Sequence, residues 1–475
     1  MKFGGTSVGD ASCIARAAQI AAGAARETHV VVVVSAMSGV TNRLIEAATL
    51  SESGESKTPL ELLETIRKQH EVALGILISD PSIREGLTAQ LNASLNDAKR
   101  LCEGTALLRE LTPRTLDMIS SFGERLSAPM VAATISALGT DSEAVEATEL
   151  IVTDGFHGGA EPLMDLTRQR CEARIRPMLE RGIIPVVTGF IGASQEGTLT
   201  TLGRGGSDYS ATILSAALSA SEAIIWTDVD GVLSADPRLV PEARTIPEIS
   251  YREAAELAYF GAKVLHPKTL RAVMPQEIPV WIRNSFAPEK PGTRIAPRGN
   301  NTAGGVKALT AIGDVSLIAL GGPGIVGLPD VVGRTFSTTA RVRANVLLIS
   351  QSSSQNDICF IVAAADAKRT VDALREQFAQ DLAHQNVEHI SLDSQIAIVA
   401  VVGENMRGTV GMAGRTFSTM GRDGINIIAI AQGSSESNIS FVVEQKDMKK
   451  AVLALHREFG LDAGGSNQAK GSSHT

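Results

Sequence analysis

Five consecutive valines at positions 30–34 constrain this chain more than any other stretch. A run of β-branched residues with no polar residue alternating among them reads as a strand buried on both faces. It is far too short to cross a bilayer. Residues 182–190 (GIIPVVTGF) and 222–227 (EAIIWT) read as further strands, and alanine-rich helical runs occupy residues 11–25 and 209–220. Short aliphatic runs alternating with amphipathic helical patterns predict an α/β fold, a mainly parallel sheet sandwiched by helices. Residues 58–138 read as mostly helical, a peripheral insertion, and the proline-rich, charged segment 288–298 as a linker.

Beyond it lies an internal repeat. GRTFS at 333–337 recurs at 414–418, an offset of 81, and the same offset relates Ser350-Gln351 to Ala431-Gln432. Each copy reads strand, glycine turn, helix, strand, turn, strand, helix, so two small α+β modules follow the first domain. The expected boundaries are 1–298 for the α/β domain, 306–391 and 392–462 for two modules that can interleave, and 463–475 for a Gly/Ser-rich disordered tail.

With 475 residues and 44% hydrophobic content, the chain can bury about three cores. A formal charge of −8 and no basic block exclude a nucleic-acid partner. Cys13, Cys102, Cys171 and Cys359 are scattered without metal-ligand spacing and read as reduced thiols. With no membrane-spanning run and no signal-peptide pattern, a soluble cytoplasmic protein is expected.

Several segments carry chemistry. KFGGTSV (2–8) leads a lysine into a Gly-Gly turn and a helix, an arrangement that either cradles an anion or merely turns the chain. TLGRGGSD (201–208) repeats this logic and adds Arg204, able to grip a carboxylate with two hydrogen bonds. Asp208 can orient Lys2, serve a magnesium–nucleotide complex, or simply cap the next helix. Glu124 in SFGER can hold an ammonium group; a surface turn with an internal Glu–Arg pair is the plainer reading. WTDVDGV (226–232) ends a strand, where ligands of open α/β sheets bind. There is no GxxxxGK[ST] segment, which excludes a P-loop kinase.

KFGGTSV (2–8), SAMSGVTN (35–42), SFGERLSA (121–128), TLGRGGSDYSA (201–211), WTDVDGV (226–232) and FGAKVLHP (260–267), taken in order, resemble the aspartokinases of the amino-acid-kinase superfamily over essentially the whole chain. The resemblance implies an amino-acid-kinase-like domain followed by two ACT (ferredoxin-like) modules. It implies ATP-dependent phosphorylation of L-aspartate to 4-phospho-L-aspartate, the first step towards lysine, threonine and methionine, with Mg²⁺ carried by ATP and no metal site built by the protein. Carried over by position, Lys2 with the amides of Gly4 and Gly5 meets the transferring phosphoryl group, and Asp208 organises that region. Arg204 binds the substrate α-carboxylate, Glu124 its ammonium, and Ser35, Thr41, Phe190 and Ser207 complete the pocket. Thr227, Asp228, Arg238 and Lys263 line the nucleotide site.

IALGGPGIVG (318–327), LLISQSSS (347–354) and IAIAQGSSESNIS (428–440) resemble the regulatory part of bifunctional aspartokinase–homoserine dehydrogenases. That implies an effector site at Ile349, Gln351, Ile430 and Gln432, for threonine first and lysine second. It also implies a homo-oligomer, dimer or tetramer. Two departures from the family follow. Only Met1 precedes Lys2, so either the true start lies upstream or the first strand is missing, which would leave the lysine poorly anchored. Leu233 stands where many relatives have an aromatic residue against the nucleotide. A competing expectation is an amino-acid sensor that retains its ACT modules without phosphoryl transfer.

Overall fold

The computed structural model describes residues 1–462 except 261–264, 300–304, 323–328, 352–356, 407 and 434–436. The expected tail at 463–475 lies outside the described residues. The chain forms two compact units that do not divide it at one point. The first comprises Met1–Val232, Thr245–Tyr251 and Lys263–Gly299; the second, Leu233–Arg244, Arg252–Ala262 and Asn300–Thr475.

In the first unit the valine run forms the strand Val32–Val34, inside an eight-stranded sheet. The order is Ser142–Val145, Ile184–Thr188, Val32–Val34, Lys2–Phe3, Ala223–Thr227, Val280–Asn284, Thr293–Ala296 and Glu248–Ser250. The first six strands are parallel; Thr293–Ala296 then runs antiparallel to Val280–Asn284. All three valines of Val32–Val34 are buried, because helices cover both faces of the sheet.

Two expectations are corrected here. The segment 288–298 is no linker, since it contributes the strand Thr293–Ala296, and the Thr293 hydroxyl donates to Ile246 O and accepts from Val232 N. The region 58–138 is helical, as Lys57–Leu77, Pro81–Leu108 and Pro113–Ala137, but the last of these is not peripheral. Thr112 caps it by accepting from Thr115 N, Pro113 opens its first turn, and Ile119, Phe122, Leu126, Met130 and Ile135 enter the main core. Gly123 lets this helix approach the sheet closely, because a Cβ there would stand 2.6 Å from Ala36 Cβ. Each large aliphatic side chain so buried contributes about 1.5–3 kcal/mol.

The second unit is built on a six-stranded antiparallel sheet. Two long strands, Ala308–Gly321 and His389–Val402, pair along their length. One half of the pair is extended by Asp357–Ala363 and Val346–Gln351, the other by Asn438–Glu444 and Ala429–Ala431. The repeat is physical as well as textual. Phe336 packs edge-on to Phe360 as Phe417 does to Phe441, and Arg334 lies over Phe378 as Arg415 does over Phe459. Each pair of equivalents is separated by the offset of 81. The segment Arg252–Ala262 is held in this unit by a buried ion pair, Glu253 to Lys307 at 3.1 Å, and by Glu404 N donating to Glu253 at 2.8 Å.

Candidate active site

Six parallel strands bring their C-terminal ends to one edge, and most of the residues singled out from the first unit sit there. Lys2 lies on the central strand Lys2–Phe3, paired on one side to Val33–Val34 and on the other to Ile225–Trp226. The expectation of a poorly held lysine is therefore corrected. Two ladder neighbours fix the strand despite its length, Lys2 is 8% exposed, and its Nζ lies 2.6 Å from the Asp208 carboxylate. Asp208 does not cap its helix. Gly205 holds the N-cap position of Gly206–Ala217, leaving Asp208 in the first turn with its carboxylate on Lys2.

The glycines need a second correction. Gly4 N–H donates to Trp226 O at 3.1 Å, so it is engaged in the sheet and not offered to a phosphate. Gly5 is half-buried and opens the short turn Thr6–Val8.

A pocket of about 510 Å³ opens beside Lys2 and Asp208, lined also by Ser35, Thr41, Glu124, Phe190, Arg204 and Ser207. The structure thus brings together all six residues assigned to substrate and two of those assigned to phosphoryl transfer. Glu124 is no surface residue: it is 3% exposed, and its neighbour Arg125 pairs with Glu146 instead, at 2.8 Å. Burial pushes the Glu124 carboxyl up to about 7, against hydrogen bonds from the Ala36 amide and Ser207 and the nearby charge of Lys2, which pull the other way. Ser207 Oγ donates to Oε1 at 3.4 Å, while Oε2 has no hydrogen-bond partner. A buried, half-satisfied carboxyl facing a cavity is suited to receiving a cation. Phe190 adopts φ 72°, a left-handed conformation that costs a bulky residue about 1–3 kcal/mol and is characteristic of binding sites. Ser210 Oγ and Leu202 N hold its backbone on either side, at 2.9 Å each.

Thr227 and Asp228 stand at the end of the strand Ala223–Thr227, with the Thr227 hydroxyl donating to Asp228 at 3.2 Å. Arg238 belongs to the second unit, where it forms a two-pronged pair with Asp236 at 2.6 and 3.0 Å. Lys263 lies outside the described residues. Among the described residues no group of three or more His, Cys, Asp or Glu side chains is gathered to hold a metal ion. Asp208, paired to Lys2, and Asp228, at the end of Ala223–Thr227, each offer hard oxygen donors of the kind suited to a magnesium ion that keeps its waters and arrives on phosphates. A larger groove, of about 640 Å³, opens beside Arg125, Glu146 and His70 and contains none of Lys2, Glu124, Arg204 or Asp208.

In the second unit, Ile349 and Gln351 lie on the edge strand Val346–Gln351, and Ile430 and Gln432 on or just past Ala429–Ala431. Ser350 Oγ donates to Ile430 O at 3.3 Å, so the two repeat-related edges meet. Both isoleucines are about half exposed.

Sequence reasoning missed Asp117, Thr201 and Gly158, which also line the pocket. Asp117 stands two helical turns before Glu124 with Ser120 and Ser121 between them on the same face, and that polar stripe was the available signal.

Comparison with known proteins bears on this geometry. The amino acid kinase family matches residues 1–284, and the ACT domain matches residues 318–378 and 399–459, again 81 apart. Bifunctional aspartokinase/homoserine dehydrogenase 1 of Arabidopsis thaliana is 36% identical over 466 residues, covering 97% of this chain and 51% of that protein. The chain spans about half the length of the bifunctional relatives it matches. Aspartokinase 1 of Arabidopsis is 31% identical, covering 97% of this chain and 79% of that one. Escherichia coli aspartokinase III, solved with aspartate and ADP, superposes with a TM-score of 0.80 at 31% identity, covering 96% of this chain and 98% of that one. The same enzyme solved with lysine and aspartate gives 0.79 at 30% identity, with the same coverage. No helix among the described residues is long and apolar enough to cross a membrane. With its family match extending over more than half its length and a solved aspartokinase matching it almost end to end, the chain belongs to the amino acid kinase family and, within it, to the aspartokinases.

Proposed function

We propose that the chain transfers the γ-phosphoryl group of ATP to the side-chain carboxylate of L-aspartate, giving ADP and 4-phospho-L-aspartate, and that an amino acid bound to its second unit regulates the reaction. The observation that carries this reading is the convergence of Lys2, Asp208, Glu124 and Arg204 on one pocket. Arg204 supplies a planar, always-charged partner for an α-carboxylate, and Glu124 a buried carboxylate for an α-ammonium. Ser35, Thr41, Phe190 and Ser207 close the walls between them.

An aspartate held at these two points directs its second carboxylate toward Lys2. That carboxylate is already an anion, so it needs no base: one of its oxygens bonds to the γ-phosphorus as the bond to the β–γ bridging oxygen breaks, and ADP leaves. Positioning and charge neutralisation then suffice. Mg²⁺ carried by the nucleotide supplies charge on the phosphate oxygens, and Asp208 and Asp228 are the groups suited to its waters. Gly5, Thr227 and Asp228 complete the proposed phosphate and nucleotide contacts of the first unit. The first unit corresponds in this reading to the catalytic domain and the second to the paired ACT domains.

An ATP- and aspartate-dependent hydroxamate assay tests the activity. Turnover with aspartate in preference to glutamate is the expected result. Absent turnover with retained amino-acid binding supports a sensor instead.

Threonine is the proposed effector, held where the two edge strands meet by Gln351 and Gln432 beside Ile349 and Ile430. It inhibits by favouring an inactive arrangement of the protein. Lysine is the second reading, because E. coli aspartokinase III has been solved with it. Replacing Gln432 by Ala is expected to raise the threonine concentration for half-inhibition about 10-fold or more, with uninhibited turnover unchanged. Full sensitivity surviving in both Gln351→Ala and Gln432→Ala rejects the site. Symmetric association of the ACT modules makes a cytoplasmic homodimer the proposed assembly, a tetramer the alternative.

A further inference from the structure

The helix Pro113–Ala137 presents a second carboxylate to the pocket. Asp117 precedes Glu124 by seven residues, two helical turns, so both project from one face. It is 2% exposed, and an isolated buried carboxylate is costly unless its lone pairs are filled. Here they are filled by the protein itself. The Thr201 hydroxyl donates at 2.5 Å and the Thr201 N–H at 3.3 Å, Gly158 N–H at 3.1 Å, and His157 Nδ1 lies at 2.8 Å.

These donors come from two separate segments, the loop after Val152–Thr153 and the end of the strand Leu199–Thr201. The strand leads directly into the turn that carries Arg204, and the loop packs against that turn. Ala160 N donates to Thr201 O at 2.9 Å, tying loop to strand. Gly203, at φ 78°, packs so closely on the loop that a Cβ would stand 3.0 Å from Gly158 O. Gly206 N then donates to Gly203 O at 2.9 Å, closing the turn into the helix that bears Ser207 and Asp208. Arg204 itself is exposed, so its backbone, not packing of its side chain, must set its place.

We propose that Asp117 is a positioning residue: by clamping Gly158 and Thr201 it sets the place of Arg204 and so the affinity of the pocket for the substrate α-carboxylate. The proposal rests on the aspartate-phosphorylating reading above. It differs from a merely structural role in one respect. A residue that acts through Arg204 has nothing further to lose once that side chain is gone.

The test is a double-mutant cycle on the full chain with Asp117→Asn, Arg204→Ala and both, measuring KM for aspartate and ATP, kcat and Tm. Arg204→Ala alone is expected to raise the aspartate KM about 10-fold or more, and Asp117→Asn alone to do the same with the ATP KM changed less than about two-fold. In the Arg204→Ala background, Asp117→Asn is expected to add less than about two-fold. Thr201→Val should reproduce the effect of Asp117→Asn, and Thr201→Ser, which keeps the hydroxyl, should restore the wild-type KM. If Asp117→Asn fails to fold, the cycle of Thr201→Val with Arg204→Ala decides in its place. Multiplying losses in the double variant, equal rises in both KM values, or an unchanged aspartate KM overturn the proposal. A wild-type chain that does not turn over aspartate overturns the underlying reading and this inference with it. Turnover by the wild type with multiplying losses overturns the inference alone.

Discussion

Lys2→Ala is expected to lower kcat about 10²–10³-fold while changing the aspartate KM less than about three-fold, as judged by steady-state turnover with saturating ATP. The argument is geometric. Lys2 Nζ projects from the central strand to within 2.6 Å of Asp208 and is largely shielded from water. A charge fixed in that way needs little reorganisation as negative charge shifts during phosphoryl transfer, whereas the proposed grip on aspartate lies elsewhere, at Arg204 and Glu124. Lys2→Arg is expected to rescue poorly. The ammonium sits where a Cβ on Gly4 would be only 3.3 Å away, which leaves little room for a planar guanidinium. An unchanged kcat in Lys2→Ala would remove the lysine from the mechanism.

Glu124→Gln is expected to weaken aspartate binding about 10- to 100-fold and, in the same protein, to make the unliganded fold more stable. The second effect follows from linkage. Burial raises the folded-state carboxyl to about 7 from an ordinary value of 4.5, so the folded chain holds this proton more tightly than the unfolded chain does. Its contribution to stability therefore falls as pH rises from about 4.5 to about 7 and stays low above, a penalty on the order of 3 kcal/mol. The amide removes the titration. Chemical denaturation at pH 6 and 8 should show the wild type losing stability across this interval relative to Glu124→Gln.

Catalysis should run the other way. Below pH 7 the wild-type carboxyl is protonated in the empty pocket and the aspartate KM should rise, while the KM of Glu124→Gln should be high and flat. A variant less stable than wild type at pH 8 would contradict the buried-charge account. A wild-type aspartate KM independent of pH between 6 and 8 would contradict the ammonium-binding role.

Period and punctuation made much of this molecule legible. An unbroken valine run has no amphipathic alternation to resolve, so it declared an interior strand and, with its helical neighbours, a parallel sheet. The 81-residue offset declared two copies of one module, and the paired Phe–Phe and Arg–Phe contacts are its three-dimensional counterpart. Lys2, Arg204 and Asp208 were picked out because chemistry at a strand end or glycine turn needs those residue types. Glu124, whose plainer reading was a surface turn, was assigned through the family resemblance. The segment 288–298 was misread because proline and charge mark breaks in a chain, whereas its strand Thr293–Ala296 is stabilised by partners at 246–250 and 280–282 that no local pattern reveals.

What the sequence determined by itself is the inventory: a parallel α/β unit, a duplicated α+β module, and a set of charged and hydroxyl side chains placed at turns. Tertiary structure decided what those side chains are. Gly4 lost its amide to Trp226, Asp208 was drawn from a capping position to Lys2, and Glu124 passed from a surface turn to a buried acid near neutrality. Asp117 became a clamp only once four donors from distant segments closed on it. The reason is that hydrogen bonding and desolvation depend on neighbours remote in the chain, and a sequence read locally records residue type but not the water each residue has lost.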